Sequence, residues 1–385
     1  MLAIKNGKLL TITNGTIDGG TILIEDGKIV KVGKDIEIPA GAQVIDATGN
    51  YVMPGVIDAH AHVGIWEESL GWEGNDVNEM TDPVTPHVRA IDAINPEDQG
   101  LKDAVTGGIT AIWCAPGSAN VIGGEGVTMR TYGATMDEMI LKNFSGLKAA
   151  FGENPKRVYS GMKKMPSTRM GTAAVLRETL VKAQNYLKKI EKANGDPDKM
   201  PERDLRLEGV VRVLKREIPL RTHAHRADDI ITALRIAREF DIEMTIEHCT
   251  EGHKIVDKLA EWNIQCVVGP SFGSRSKVEL ANKSFKTAGI LAKAGVRVSI
   301  MTDHPVIPIQ YLPMMAGLAV KEGMDEEDAL RALTINPATI SGVADRLGSL
   351  EVGKEADIAI FDGHPLEMRT HCLYTIMRGE VVHKL

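Results

Sequence analysis

Four cysteines in 385 residues, Cys114, Cys249, Cys266 and Cys372, are too few and too scattered to form a disulfide framework, and no CxxC pair occurs. They read as small apolar residues of a reduced interior, with Cys249 set apart because it follows a histidine of interest. No run of roughly 18 apolar residues exists to cross a membrane. The opening Met1-Leu2-Ala3-Ile4-Lys5-Asn6-Gly7 lacks the apolar core of a signal peptide. Basic residues are not in excess: 45 Lys and Arg face 52 Asp and Glu, for a net charge of -7. A nucleic-acid partner is therefore not expected, because no dominant basic field is available to displace counterions. There is no internal repeat and no low-complexity tract. Together these absences lead to the expectation of a cytoplasmic protein acting on a small molecule. They leave a homo-oligomer open.

What is present is an ordinary globular composition, 43% hydrophobic and 25% charged, with mean hydropathy -0.10. The two ends share one character. Leu2 to Lys5, Lys8 to Thr13, Thr21 to Glu25, Lys28 to Val32 and Gly41 to Ala47 read as short strands. Asn6-Gly7 and Asp26-Gly27 read as hairpin turns, since type I′ turns need positive φ at both residues. Asp357 to Phe361 reads as a strand, and Leu373 to Lys384 as a final hairpin around Arg378-Gly379.

The middle alternates apolar β-rich runs with helical periods, the signature of parallel βαβ units. The fold class expected is α/β: a (β/α)8 TIM-like barrel over residues 53–345, with a small β-sandwich domain formed by both chain ends, 1–52 and 346–385. The pattern lapses between Trp66 and Asn95, an acidic stretch with prolines at 83 and 86. Such an insert after a barrel strand is usually functional or mobile.

Chemistry concentrates where strands end. Met53-Pro54-Gly55-Val56-Ile57-Asp58-Ala59-His60-Ala61-His62 is an apolar strand closing on His-x-His. Residues i and i+2 of a strand share a face, so His60 and His62 can converge on one ion. One ion needs about four ligands, so companions are expected. Thr222-His223-Ala224-His225, Glu247-His248-Cys249 and Thr302-Asp303-His304 each follow an apolar run and precede a helix or loop. In a parallel barrel that puts all of them at the C-terminal mouth, where sites on this fold form.

This set of motifs resembles the amidohydrolase superfamily over nearly the whole chain, and within it the branch related to imidazolonepropionase. Leu347 to Asp362, with Asn336-Pro337-Ala338-Thr339 before it, is similar to the return into that family's small β-domain. The resemblance implies a metal-dependent hydrolase of amide or cyclic-amide C–N bonds, or a deaminase of a heterocycle. A catalytically silent barrel would be expected to have lost several of these residues. It implies one or two divalent ions, zinc first, with manganese, iron or nickel as alternatives. His60 and His62 resemble the pair holding the buried ion. His223 and His248 resemble ligands from the fifth and sixth strands. Asp303 resembles the eighth-strand aspartate that binds metal and takes a proton from the attacking water.

Two-metal relatives use a bridging group at the fourth strand. Here Lys148, if carboxylated, and Glu153 are equal candidates. His225 can face metal or substrate, or serve as a hydrogen-bonded support. His304 is expected to be structural, because neighbouring strand residues face opposite ways. Gly123-Gly124-Glu125-Gly126 reads as a flexible pocket wall. Arg130, Arg157 and Arg169 can each hold a substrate carboxylate, though any of them is more often a plain surface charge.

Overall fold

In the computed structural model, which describes residues 1–385, the chain opens with five strands. They are β1 (Leu2–Leu10), β2 (Thr16–Glu25), β3 (Lys28–Gly33), β4 (Gln43–Asp46) and β5 (Tyr51–Pro54). The Asp26-Gly27 hairpin forms, with φ of 50° and 76° at the two residues between β2 and β3. The Asn6-Gly7 hairpin does not. β1 runs straight through it, and the positive φ of Asn6, 61°, sits at a register shift against β2. A left-handed residue can make a bulge as readily as a turn, and the apolar residues on both sides stay buried only if the strand continues.

Eight further strands follow in spatial as well as chain order: β6 (Val56–Ala61), β7 (Ile109–Cys114), β8 (Ile122–Arg130), β9 (Ile140–Ala150), β10 (Leu220–Ala224), β11 (Met244–His248), β12 (Gln265–Val268) and β13 (Val298–Ile300). The β6 and β13 edges meet through His62 N–H to the His304 carbonyl (3.0 Å) and Asp303 N–H to the His60 carbonyl (3.2 Å). These contacts leave the barrel nearly closed. Helices such as Ala227–Phe240 and Lys286–Lys293 connect its parallel strands.

One strand departs from the expected uniform βα alternation. β8 is antiparallel to both β7 and β9, and no helix separates it from β7. The supposedly flexible Gly123–Gly126 wall lies inside this fully buried strand. Its glycines answer to packing. A Cβ on Gly126 would lie 2.5 Å from the Trp113 ring, and one on Gly124 would lie 2.4 Å from the Val88 carbonyl oxygen. The insert after β6 is pinned along β8 rather than loose: Thr85 N–H bonds the Ile122 carbonyl, and Glu125 N–H bonds that of Val88.

The chain then returns through β14 (Ile358–Phe361), β15 (Cys372–Met377) and β16 (Glu380–Lys384). β14 pairs antiparallel with β5, so both chain ends share one eight-stranded sheet, ordered β16-β15-β14-β5-β1-β2-β3 with β4 on β1. Fourteen buried residues, among them Ile4, Ile22, Val52, Ile358 and Ile376, form its own core, separate from the 66-residue core of the barrel. Arg130 at the end of β8 ties the two layers together, pairing with Asp357 (3.0 Å) and with Glu355. All four cysteines are free and buried. No helix is long and apolar enough to cross a membrane.

Candidate metal centre at the barrel mouth

The strand-end residues singled out by the sequence come together in two groups. His60, His62 and Asp303 form one. Asp303 Oδ1 lies 3.3 Å from His60 Nε2 and 3.2 Å from His62 Nε2. His223, His225 and His248 form the other, with ring centroids 4.2 to 4.6 Å apart. The groups adjoin: the His60 and His248 rings are 5.3 Å apart. His248, Cys249 and Asp303 all adopt positive φ, of 70°, 50° and 55°. Such backbone is costly for residues other than glycine, and here it falls on the strand ends that carry the site.

The back of each ring fixes what its front presents. His60 Nδ1 faces Glu247 Oε2 at 2.8 Å, His62 Nδ1 the Ala115 carbonyl at 2.7 Å, and His248 Nδ1 the Gly269 carbonyl at 2.8 Å. A carboxylate and two carbonyls can only accept, so each Nδ1 carries the hydrogen. In a neutral ring each Nε2 is then a bare lone pair. Burial holds the pKa of His62, His223 and His248 below the ordinary histidine value and brings that of His225 to about 4. The neutral His62 ring therefore aims its Nε2 lone pair at Asp303 Oδ1, itself an acceptor.

Asp303 makes the opposite demand. Burial works against its charge, yet positive charge on His248 and hydrogen bonds from His60 and His62 would hold its carboxyl well below the usual range. Burial denies His62 and His248 the positive charge that would stabilise this carboxylate. A divalent cation among these atoms satisfies both, so the donor set fits one, and the buried His223 ring, with neither nitrogen hydrogen-bonded, fits it too.

The two bridging candidates part company. Lys148 is fully buried on β9 with Nζ 3.2 Å from His60 Nε2, and burial lowers its pKa to about 8. Glu153 opens the helix Glu153–Gly161 and meets the site only through its backbone N–H, which bonds Glu279 Oε2 at 2.9 Å. His225 stands beside His223, its Nδ1 2.7 Å from Thr250 Oγ1. His304 points away; its Nδ1 accepts from the Ile309 N–H. Arg130 serves the Glu355 and Asp357 pairings, Arg169 pairs with Asp229 at 2.9 Å, and Arg157 is exposed. None of the three reaches the histidines.

Three residues passed over in the sequence, Arg221, Glu247 and Asp58, support the site from below. Arg221 Nε bonds Glu247 Oε1 at 2.8 Å and stacks 3.7 Å from the Trp113 ring centroid. Burial opposes the Glu247 charge, but the Arg221 guanidinium and His60 outweigh it and keep the group ionised. Asp58 Oδ2 accepts from the Thr302 N–H and hydroxyl, locking β6 to the segment that presents Asp303.

The amidohydrolase family model matches residues 51–383. The chain belongs to that family. An amidohydrolase from Thermotoga maritima MSB8, solved by crystallography, is 45% identical, with TM-score 0.97 and 100% of both chains covered. Amidohydrolase tasK of Hapsidospora irregularis is 28% identical over 374 residues; the match takes in 90% of this amidohydrolase but only 38% of tasK. Imidazolonepropionase of Geobacillus sp. (strain WCH70) is 26% identical over 90% of the chain and 84% of the relative. The resemblance read from the motifs, the imidazolonepropionase-related branch included, agrees with these matches.

Proposed function

We propose that the chain is a metal-dependent hydrolase of an amide or cyclic-amide C–N bond, with His60, His62 and Asp303 holding one divalent ion. The observation that carries this reading is the convergence of two imidazole Nε2 atoms and a carboxylate oxygen on one point at the barrel mouth. A divalent ion supplies Lewis acidity and lowers the pKa of a water it holds to about 7. Zinc is the first candidate, since imidazole and carboxylate donors suit it.

With Oδ1 turned to the histidines, Asp303 Oδ2 is the atom to take a proton from the attacking water and pass it to the leaving nitrogen. Glu247 and the Ala115 carbonyl hold the His60 and His62 rings in one tautomer and orientation. Lys148, rather than Glu153, is placed to bridge toward the second histidine group, because its amine already lies at His60. Carboxylation joins that amine to carbon dioxide with loss of one proton and leaves an anionic ligand.

The test is a panel of cyclic amides, dipeptides and amino-substituted heterocycles, run on metal-stripped and metal-reloaded protein. Ring opening or amide cleavage that vanishes on stripping and returns with a divalent ion is the expected result. Ammonia release from the heterocycles alone would move the reaction to deamination. Hydrolysis that survives complete metal removal would sink the reading.

A further inference from the structure

The insert after β6 begins with a hairpin whose tip is apolar. Trp66 pairs antiparallel with Asn75, the Glu67 N–H bonds the Gly74 carbonyl at 2.8 Å, and Ser69 and Gly71 turn the chain with φ of 67° and 62°. Its base is fixed to the site: the N–H groups of Ile65 and Trp66 both bond the His62 carbonyl, at 3.2 and 2.9 Å. The Glu68 N–H bonds Asp98, which caps the helix Gln99–Thr106. Beyond that point, residues 69–73 make no hydrogen bond outside the hairpin. Trp72 is 90% exposed, and Leu70 is exposed beside it. Trp72 is three residues from Asn75, so its Cα lies within about 10 Å of that base.

Neighbouring strands extend the apolar rim. β13 abuts β6, β12 lies next to β13, and the loops that follow them expose Val306 and Phe272. Single exposed apolar residues are ordinary on a protein surface. Four on the loops after three adjoining strand ends, around the mouth where the metal-binding side chains gather, form a surface suited to an apolar group.

A second feature, independent of the rim, sits at the hairpin base. His304 Nδ1 accepts the Ile309 N–H at 3.2 Å, so the ring hydrogen is on Nε2. That N–H is buried and has no hydrogen-bond partner, which is costly. Glu68 Oε1 lies 3.7 Å from it. Gly100 keeps the space at Nε2 open, since a Cβ there would lie 2.7 Å away. A movement of under about 1 Å at the hairpin base completes the bond. Glu68 gains from it too, because Asp98 and Asp103 crowd it with negative charge.

We propose that the hairpin Trp66–Asn75 is a lid, latched by Glu68 on His304, and that Trp72 covers an apolar group of the substrate. The substrate class is then an amide or cyclic amide carrying an aromatic or branched aliphatic substituent. The proposal rests on the hydrolase reading above and adds the part of the substrate that does not react. Trp72 sets specificity, and Glu68 is a positioning residue that acts through the hairpin.

The test uses the zinc-loaded full-length chain and three hydantoins that bear hydrogen, isobutyl or benzyl at the same ring carbon. Binding is followed by tryptophan fluorescence and acrylamide quenching, with Trp72→Phe giving the baseline of the remaining indoles. Wild type should bind the benzyl probe about tenfold or more tighter than the hydrogen probe, as burial of an aromatic side chain provides. Trp72→Ala should lose that preference and keep its affinity for the hydrogen probe. The benzyl probe should shield Trp72 from acrylamide in wild type. Glu68→Ala should lose the shielding, and Glu68→Gln, whose amide oxygen still accepts the His304 N–H, should retain it. A benzyl preference unchanged in Trp72→Ala would overturn the proposal, as would equal binding of the three probes, binding of none, or full shielding in Glu68→Ala. Each of those leaves the proposed function standing wherever amide cleavage remains metal-dependent. A wild type that prefers the benzyl probe but hydrolyses no amide would end that function and leave the hairpin a binding element.

Discussion

Glu247 Oε2 lies 2.8 Å from His60 Nδ1, and neither side chain touches solvent. Its other oxygen takes Arg221 Nε, so the imidazole is backed by a carboxylate that is itself backed by a guanidinium. Groups that orient a metal-binding histidine in this way typically change affinity 10–100-fold when removed. Glu247→Gln is expected to lower affinity for the first ion by that order while the protein stays folded. Glu247→Leu strands the Arg221 charge and should cost about 3–5 kcal/mol of stability. Chelator competition and urea denaturation read the two effects, and unchanged affinity in a folded Glu247→Gln protein would leave Glu247 a purely structural residue.

Removal of the first histidine pair should be equally plain. His60→Ala and His62→Ala each delete one of the Nε2 atoms facing Asp303. Elemental analysis is expected to show one equivalent of metal lost in either variant. A double variant with a full complement of metal would place the ion elsewhere.

The legible part of this site was the part written along single strands. His60-Ala61-His62, His223-Ala224-His225, His248 and Asp303 each end an apolar run, and parallel strands carry such ends to one mouth. What could not be read depends on neighbours distant in sequence. The part Glu247 plays appears only when β6 and β11 face across the barrel interior. β8 was hidden for a different reason. Its Ile122-Gly-Gly-Glu-Gly sequence looks like loop, because the glycines that make room for the Trp113 ring and the close approach to Val88 also erase the apolar alternation. At Asn6-Gly7 a true left-handed signal was present, but burial of the flanking residues selected a bulge over a turn.

Arg130 offers a test of how the two layers are joined. Its guanidinium is 5% exposed and holds two carboxylates, Asp357 and Glu355, that are themselves largely buried. Arg130→Ala leaves the buried Asp357 without its cation, while Glu355 keeps Arg346, and a loss of about 3–5 kcal/mol is expected. Denaturant titration measures it. A change below about 1 kcal/mol, the range of a surface pair, would mean that water compensates Asp357 fully.

The remaining prediction isolates catalysis from binding. Asp303 faces both His60 and His62 through Oδ1, from a backbone held at φ 55° beside the β6–β13 seam. Asp303→Asn keeps the shape and still offers an oxygen to a cation, so metal content should fall only in part. It removes the group that accepts a proton, and general acid–base groups contribute about 10²–10⁴-fold. The expected outcome is a kcat loss of that order with little change in melting temperature. If Asp303 served only to fix the strand end, the variant would instead melt earlier and turn over normally once folded. Measuring kcat, metal content and melting temperature on one preparation separates the two roles, and a well-folded Asp303→Asn enzyme with near-normal kcat would take this carboxylate out of the proton path.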